Sequence, residues 1–107
     1  MTKSYYHATP MENLDSIMNE GIHKSWDGVV YLTTEPTDAI KFLAIRGYKE
    51  CLVCKVALNE ELVEEQFYHN EKFFGCKAYG YSDDISPYDI EDYIKYTDIE
   101  DYIKYTW

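Results

Sequence analysis

Three side chains in the first half of the chain are of types that could do chemistry on a planar ligand. His7 lies near the end of "YYHAT", and an imidazole can exchange hydrogen bonds with a hydroxyl group at neutral pH. Tyr31 and Phe42 are separated by ten residues, and two aromatic rings can hold a flat heterocycle between their faces. Each side chain also has a structural explanation, as a satisfied histidine or as a core aromatic. Taken one at a time, the three residues do not decide between a site and these structural roles.

The elements that would position these residues follow from the pattern of apolar side chains. Alternation from Tyr5 to Thr9 predicts a short strand that stops at Pro10. Thr9, Pro10 and Glu12 have the pattern of a capping box with proline at the first helical position, so a helix should begin there. Gly21 should end this helix. The side chains expected to form its buried stripe are Met11, Leu14, Ile17 and Met18.

A second strand and a second helix are predicted in the middle of the chain. "DGVVYLTT" predicts a strand that is entered through a turn at Asp27 and Gly28. A helix should follow from about Pro36 to Arg46, and Gly47 should close it. The apolar stripe expected on this helix contains Ile40, Leu43 and Ala44, widened by Ala39, Phe42 and Ile45.

The second half of the chain is predicted to contain further strands and two short helical segments. "CLVCKVAL" predicts a strand, and Asn59 can start a short helix after it. "KFFGCKAYGYS" is aromatic and interrupted by glycine, which is typical of one or two short strands. Ser86 and Pro87 predict that "SPYDIEDYIKY" forms a helix.

A perfect tandem repeat ends the chain. "DIEDYIKYT" occupies Asp89–Thr97 and again Asp98–Thr106. A shift of nine residues advances a helix by two and a half turns and reverses the face of a strand, so the copies cannot both cover one core in the same way. We expect the first copy to pack on a single domain of residues 1–97, and the second, in a tail of residues 98–107, to restart, fray or dock on another chain as a homodimer. A recent duplication without function is the alternative.

Size and charge limit the classes of function. The 107 residues fit one compact domain, and 46% apolar residues are enough for one core. Twenty acidic residues against ten basic ones give a net charge of −10, which repels phosphate backbones and argues against direct binding of nucleic acid. No stretch has the length and apolar character of a membrane span, and the N-terminus lacks the apolar core of a signal peptide. We therefore expect a cytoplasmic protein with no membrane contact.

The three cysteines invite a metal-site hypothesis, which their placement weakens. Cys51 and Cys54 have the spacing of zinc ligands, and Cys76 and His69 could complete such a site. On the predicted strand, however, residues three apart point to opposite faces, which suits two small core residues better than two ligands of one metal. We expect reduced thiols and no metal site.

The segments "YHAT", "NLDSIMNEGI" and "VVYLTTEPTDAIKF" together resemble the ADP-ribosyltransferase superfamily, which includes diphtheria toxin and the poly-ADP-ribose polymerases. The resemblance covers about the first half of the chain. It implies an α+β fold with a small split β-sheet and flanking helices. It further implies a minimal mono-ADP-ribosyltransferase that uses NAD to modify a protein or a small target, as a bacterial or phage effector would.

The resemblance also implies roles for six residues. Tyr31 and Phe42 would sandwich nicotinamide, with the small Ala39 three positions before Phe42. His7 would hydrogen-bond a ribose hydroxyl, and the main-chain amide of Ala8 would bind the nicotinamide carboxamide. Thr9 would support this loop while it caps the helix.

The third motif of the family, a glutamate on a later strand, is not found. "ISPYDI" resembles the segment that usually follows this glutamate, but counting back from it leads to Ala78 or Lys77. Asp83 is the leading substitute as a catalytic carboxylate. The other candidates are Asp84, Glu71 and a residue of the tail.

Because the glutamate is missing, two alternatives to a mono-ADP-ribosyltransferase must be considered. One is a catalytically inactive binding protein or inhibitor on the same scaffold, which acts through its acidic surface. The other is an RNA 2′-phosphotransferase, a class that shares the fold and lacks the glutamate but depends on several arginines to bind phosphate. The chain has a single arginine, Arg46, and an acidic charge, so an RNA substrate is disfavoured.

Overall fold

The computed structural model describes residues 1–66 and 76–102, which form two antiparallel sheets and two helices. The first sheet contains β1 (Thr2–Thr9), β3 (Glu50–Asn59) and β6 (Ile90–Thr97), with β3 in the centre. The second sheet contains β2 (Val30–Leu32), β4 (Val63–Glu65) and β5 (Tyr79–Tyr81), with β5 in the centre. The helices are α1 (Leu14–Glu20) and α2 (Pro36–Ala44). This architecture confirms the predicted α+β class.

The two sheets meet at β1. One edge of β1 pairs with β3 along its whole length, from Thr2 opposite Asn59 to Thr9 opposite Leu52. On its other edge, Tyr6 forms an isolated bridge with Thr33, in which each N–H donates to the other carbonyl at 2.9 Å. The C-terminal half of β1, where the sequence places the candidate site, therefore lies at the junction of the sheets.

Successive residues of β3 are buried on opposite faces of the first sheet. Cys54 belongs to the hydrophobic cluster on the α1 side, and Cys51 belongs to the cluster on the α2 side. The prediction that these two cysteines point to opposite faces is confirmed. Both are free thiols, and burial raises the pKa of Cys51 to about 11 and that of Cys54 to about 12. Both thiols are therefore protonated at neutral pH.

The capping box predicted at the first helix is wrong. A 3-10 turn, Met11–Asn13, precedes α1, and Pro10 occupies the cap position, with a ψ of 145° and no side-chain cap. The Thr9 hydroxyl accepts a hydrogen bond from the Asn13 side-chain amide at 2.8 Å. Because Thr9 is held in the sheet opposite Leu52, the chain turns one residue later than a threonine cap requires.

Helix α1 docks through a narrower face than predicted. Ile17 is buried, but Met18 is exposed, so the predicted stripe is wrong at this residue. The predicted helix began before Met11, but in the structure Met11–Asn13 forms a separate 3-10 turn. α1 itself has only 7 residues, so its buried face is shorter and narrower. Gly21 ends the helix as predicted, with a φ of +82°, and a Cβ there would lie 2.0 Å from the Ile85 carbonyl oxygen.

The remaining elements of the first two thirds lie close to their predicted positions. β2 is shorter than predicted, because Thr33 already bonds to β1. α2 ends at Ala44, two residues before the predicted end, and its predicted stripe is buried except at Phe42 and Ile45, which are half-buried. The Asn59 side chain accepts a hydrogen bond from the Glu61 N–H at 3.1 Å and starts a 3-10 turn, as expected.

β5 forms one of the short strands that were predicted for "KFFGCKAYGYS", and the start of this segment lies outside the described residues. No helix in the described ranges has the length and apolar character needed to cross a bilayer.

The helix predicted for the first repeat copy is wrong beyond its first turn. Ser86 accepts a hydrogen bond from the Tyr88 N–H at 3.2 Å and opens a 3-10 turn at Pro87–Asp89, after which the chain continues as β6. Ile90 and Tyr93 have the three-residue spacing of a helix face. In β6 a bulge inserts an extra residue between them, so that both side chains pack against the same cluster of the sheet.

The second repeat copy has a different structure from the first. Asp98 has a positive φ of 53°, and the chain then forms a 3-10 turn at Ile99–Tyr102. Ile99 is fully buried in the cluster on the α2 side. The prediction that the copies cannot cover one core in the same way is confirmed.

Candidate functional site

A cleft of about 850 Å³ lies between β1, α2 and the segment that joins α1 to β2. His7 and Ala8 from β1, Tyr31 from β2, and Ala39 and Phe42 from α2 line this cleft. These are five of the six residues that the resemblance assigns to NAD, and the structure brings them to one surface. The volume is within the range of about 300–1,000 Å³ for small-molecule sites.

His7 is partly buried, and its ring is held by β2. Its Nδ1 lies 2.8 Å from the main-chain carbonyl oxygen of Tyr31. Because a carbonyl oxygen can only accept, Nδ1 carries the proton and donates it, which leaves Nε2 of the neutral ring as an acceptor. Burial lowers the pKa of His7 below its usual 6.5 and outweighs the opposite effect of this hydrogen bond. At neutral pH the cleft therefore contains an oriented hydrogen-bond acceptor.

The Tyr31 side chain is oriented by a hydrogen-bonded turn. Its hydroxyl donates to one carboxylate oxygen of Asp27, and the Ser25 hydroxyl donates to the other. These two hydrogen bonds, from Ser25 and then Tyr31, lower the pKa of Asp27, while the bond to Asp27 raises the pKa of Tyr31. Tyr31 is 40% exposed, so its ring presents surface to a ligand while its hydroxyl is held.

Helix α2 contributes two of the predicted site residues to the lining of the cleft. Ala39 is buried and Phe42 is half-buried, and their three-residue spacing puts them on one side of the helix. Both residues lie on the cleft, as the resemblance implies.

The main-chain amide of Ala8 lies on the cleft side of β1. In an antiparallel strand the N–H groups of alternate residues point to the same edge. The Tyr6 N–H donates to the Thr33 carbonyl, away from β3, so the Ala8 N–H points to this edge as well. The expected carboxamide-binding amide is therefore oriented away from the β3 ladder.

Two predicted site residues are not on the cleft. Thr9 is buried at the end of β1, where it bonds to Asn13 and supports the turn behind His7. Asp83 accepts a hydrogen bond from the Asp84 N–H at 2.8 Å and is not among the described residues that line the cleft. Its catalytic role as a substitute for the missing glutamate receives no support from this placement.

Several described residues of the cleft were not predicted as site residues, among them His23, Trp26, Asp27 and Arg46. The sequence predicts only a turn at Asp27 and a helix end at Arg46, because their contacts depend on how distant segments meet. The ring of His23 lies 3.7 Å from a Glu20 oxygen and 3.5 Å from an Asp84 oxygen. A signal for two of these residues was present, because Arg46 is the only arginine of an acidic chain and Trp26 adjoins the predicted turn.

Within residues 1–66 and 76–102, no three histidine, cysteine, aspartate or glutamate side chains are grouped in a way that could hold a metal ion. His69 and Glu71, the possible zinc ligand and the alternative carboxylate, lie outside these ranges. No protein-family model matches the chain, and no curated protein matches it significantly. A proposal about function therefore depends on the residues that meet at the cleft.

Proposed function

We propose that the protein is a minimal mono-ADP-ribosyltransferase that uses NAD as a substrate and modifies a protein or a small target. The observation that supports this proposal is that His7, Tyr31 and Phe42 meet on one cleft although they come from three separate elements. Ala8 and Ala39, the two small residues that the resemblance requires nearby, line the same cleft.

The proposed fold is the split β-sheet of ADP-ribosyltransferases. One observation supports this proposal. The two three-stranded sheets are connected at the Tyr6–Thr33 pair, and the cleft opens beside this junction.

The proposed reaction breaks the bond between ribose C1′ and the nicotinamide nitrogen, and nicotinamide leaves with the bonding electron pair. The acceptor atom of the target forms a bond to C1′ and releases its proton to solvent. Tyr31 and Phe42 would hold the flat leaving group, and Nε2 of His7 would accept a hydrogen bond from a ribose hydroxyl. These contacts would fix the orientation of the ribose while positive charge grows at C1′.

A second candidate function follows from the lack of a free carboxylate among the described residues of the cleft. Asp27 is the only acidic side chain among the described cleft residues, and both of its oxygens already accept hydrogen bonds from Ser25 and Tyr31. A transition state without a carboxylate beside C1′ would lack roughly 3 kcal/mol of electrostatic stabilisation. This observation favours, as the alternative, a catalytically inactive protein that binds NAD or inhibits a partner through its acidic surface.

Release of nicotinamide from NAD tests the proposed enzyme. The native chain should release nicotinamide and transfer label from NAD to a component of a cell lysate. His7→Ala and Tyr31→Ala should abolish both signals, whereas Tyr31→Phe, which keeps the ring and removes only the bond to Asp27, should retain release. Tyr88→Ala is the matched control, because Tyr88 is 97% exposed and is not among the described residues of the cleft.

Thermal unfolding with NAD separates the enzyme from the alternative. A ligand that binds only the folded state at 100 times its Kd stabilises it by about 2.7 kcal/mol. Stabilisation by NAD that is lost in His7→Ala, with intact NAD recovered at the end, would favour the inactive binding protein. Neither stabilisation nor nicotinamide release in the native chain would refute an NAD site altogether.

The proposal extends to partners and place of action. A net charge of −10 favours a protein target with a basic surface over nucleic acid. A bacterial or phage effector that acts in the cytoplasm is part of this proposal. A homodimer formed through the tail of residues 98–107 remains part of the proposal, and size-exclusion chromatography at several concentrations tests it.

A further inference from the structure

The described lining of the cleft does not share the acidic excess of the chain. The whole chain has twenty acidic and ten basic residues, whereas the described cleft residues include one carboxylate, Asp27, and one arginine, Arg46. His7 and His23 also line this surface, and the ring of His23 lies beside the carboxylates of Glu20 and Asp84, which are not among the described lining residues. An anion that most of the surface would repel meets a nearly balanced surface here.

Arg46 is available for a ligand in this cleft. Its side chain is exposed just after the end of α2, and no ion pair or side-chain hydrogen bond joins it to another described residue. The carboxylate on the same surface, that of Asp27, accepts from the Ser25 and Tyr31 hydroxyls instead. A guanidinium group binds phosphate through two parallel hydrogen bonds, which a lysine cannot reproduce.

Trp26 adds an aromatic surface to the same cleft. It lies in the turn between α1 and β2, and 98% of its surface is exposed. Leaving an indole in water forgoes much of the free energy that its burial would provide. Any flat nucleic-acid base can stack on an exposed aromatic ring, with an energy of about 1–3 kcal/mol.

We infer that Trp26 and Arg46 form a subsite for a purine nucleoside diphosphate at the rim of the cleft, in which Arg46 binds the phosphates and Trp26 stacks on the base. The identification of this ligand with the ADP half of NAD rests on the proposed function. The nicotinamide half would then lie at His7, Tyr31 and Phe42, so one cleft accommodates both ends of the dinucleotide.

Titration with ADP tests the subsite without any chemical step. The chain has two tryptophans, so in a Trp107→Phe background the fluorescence reports on Trp26 alone. ADP should quench this fluorescence, and adenosine, which has no phosphate, should bind at least about tenfold more weakly. In calorimetry Arg46→Gln and Trp26→Ala should each raise the Kd for ADP by about tenfold.

Two matched variants control for charge and for exposed aromatic surface. Lys49→Gln removes one positive charge, and Tyr88→Ala removes a ring that is 97% exposed; neither residue is among the described cleft residues. Both should bind ADP as the native chain does. Equal melting temperatures for Arg46→Gln, Trp26→Ala and the native chain would show that the folded state is intact, as their exposure leads us to expect.

Three results would overturn the inference. The first is no binding of ADP by the native chain, the second is unchanged binding in both variants, and the third is a loss in only one of them, which would remove the pairing of Trp26 with Arg46. Failure of the proposed function has a different signature. If ADP binds through these residues but NAD is neither bound nor cleaved, the subsite stands and the transferase proposal fails. If NAD is cleaved with an unchanged KM in both variants, the transferase stands and the subsite fails.

Discussion

The two copies of "DIEDYIKYT" have the same nine side chains and different structures. In the first copy, Asp89 ends a 3-10 turn and Ile90–Thr97 forms β6 along β3. In the second copy, Asp98 adopts a positive φ and Ile99–Tyr102 forms a 3-10 turn. Because local propensity is the same in both, tertiary contacts must decide between strand and turn.

The pairing of both edges of β3 explains the difference. β1 occupies one edge of β3 and the first copy occupies the other, so the second copy finds no edge of this strand to extend. It turns at Asp98, and the Ile99 N–H donates to the Lys49 carbonyl at 3.1 Å. This bond directs the Ile99 side chain into the cluster beneath α2, where it is fully buried, whereas Ile90 is half-buried.

The comparison has a functional side, because the copies support different parts of the molecule. The first copy completes the sheet that contains β1 and His7. The second packs against α2, which contributes Ala39 and Phe42 to the cleft and precedes Arg46. Equivalent substitutions in the two copies should therefore have different effects, both in size and in kind.

Removal of the second copy should give the largest effect. A chain that ends at Thr97 loses Ile99 and the edge contact between the Tyr102 and Tyr96 rings, whose centroids are 6.5 Å apart. We expect the free energy of unfolding to fall by about 4 kcal/mol, because a buried isoleucine and part of an aromatic contact are removed from the α2 cluster. Urea unfolding measures this difference.

The truncated chain also has an internal control in its cysteines. Cys51 lies in the cluster that Ile99 covers, and Cys54 lies on the opposite face. A thiol reagent should label Cys51 faster in the truncated chain and leave the rate at Cys54 nearly unchanged. Equal acceleration at both cysteines would indicate global unfolding, and unchanged stability would contradict the role given to the second copy. An increase in elution volume of the size expected when the mass is halved, at a temperature where the truncated chain is still folded, would support the homodimer.

Single substitutions sharpen the comparison at equivalent positions. Ile99→Ala should lower the free energy of unfolding by about 3 kcal/mol, and Ile90→Ala, at the same place in the first copy, by about 1 kcal/mol. The difference arises because only Ile99 is fully enclosed. Equal losses in urea unfolding would show that burial does not distinguish the copies.

The residues before these isoleucines give a smaller contrast. Asp98 has a φ of +53°, a conformation that β-branched residues adopt only with strain, whereas Asp89 does not have a positive φ. Asp98→Val should therefore cost about 1–2 kcal/mol of stability more than Asp89→Val. Asp98→Gly should be tolerated, since glycine adopts positive φ freely. A shift in melting temperature of the same size for both valine variants would exclude backbone strain as the cause.

The repeat also shows why the sequence predicted some parts of the fold and not others. The strand around His7 and the helix that begins at Pro36 have periodic apolar patterns, and the strand around Cys51 is a continuous apolar run that is buried on both faces. Each of these patterns is local, so it predicts the element without knowledge of the partner. The first repeat copy has the spacing of a helix, but the bulge near Ile90 produces the same spacing in a strand. A bulge depends on pairing with the partner strand, so the local sequence pattern does not predict it.

The candidate site also contains residues that the sequence predicted and residues that it did not predict. His7, Tyr31 and Phe42 were predicted from order and spacing within one continuous half of the chain. Asp27 and Arg46 were not, because an aspartate in a turn and an arginine after a helix are common on any surface. Their importance depends on what faces them across the cleft, which only the packing of α2 against the sheet determines.

The smallest expected effect connects the repeat to the cleft. Ile99→Ala should loosen α2 and raise the Kd for ADP or NAD by about threefold, because part of the population would no longer hold the wall of the cleft in its binding position. Ile90→Ala should leave the Kd within experimental error, since it weakens the far strand of the sheet. Hydrogen exchange gives a test that needs no ligand: amides of α2 should exchange faster in Ile99→Ala than in Ile90→Ala, at a temperature where both are folded. Equal exchange in α2 would mean that the second copy stabilises the whole domain evenly, and the link between the repeat and the cleft would be lost.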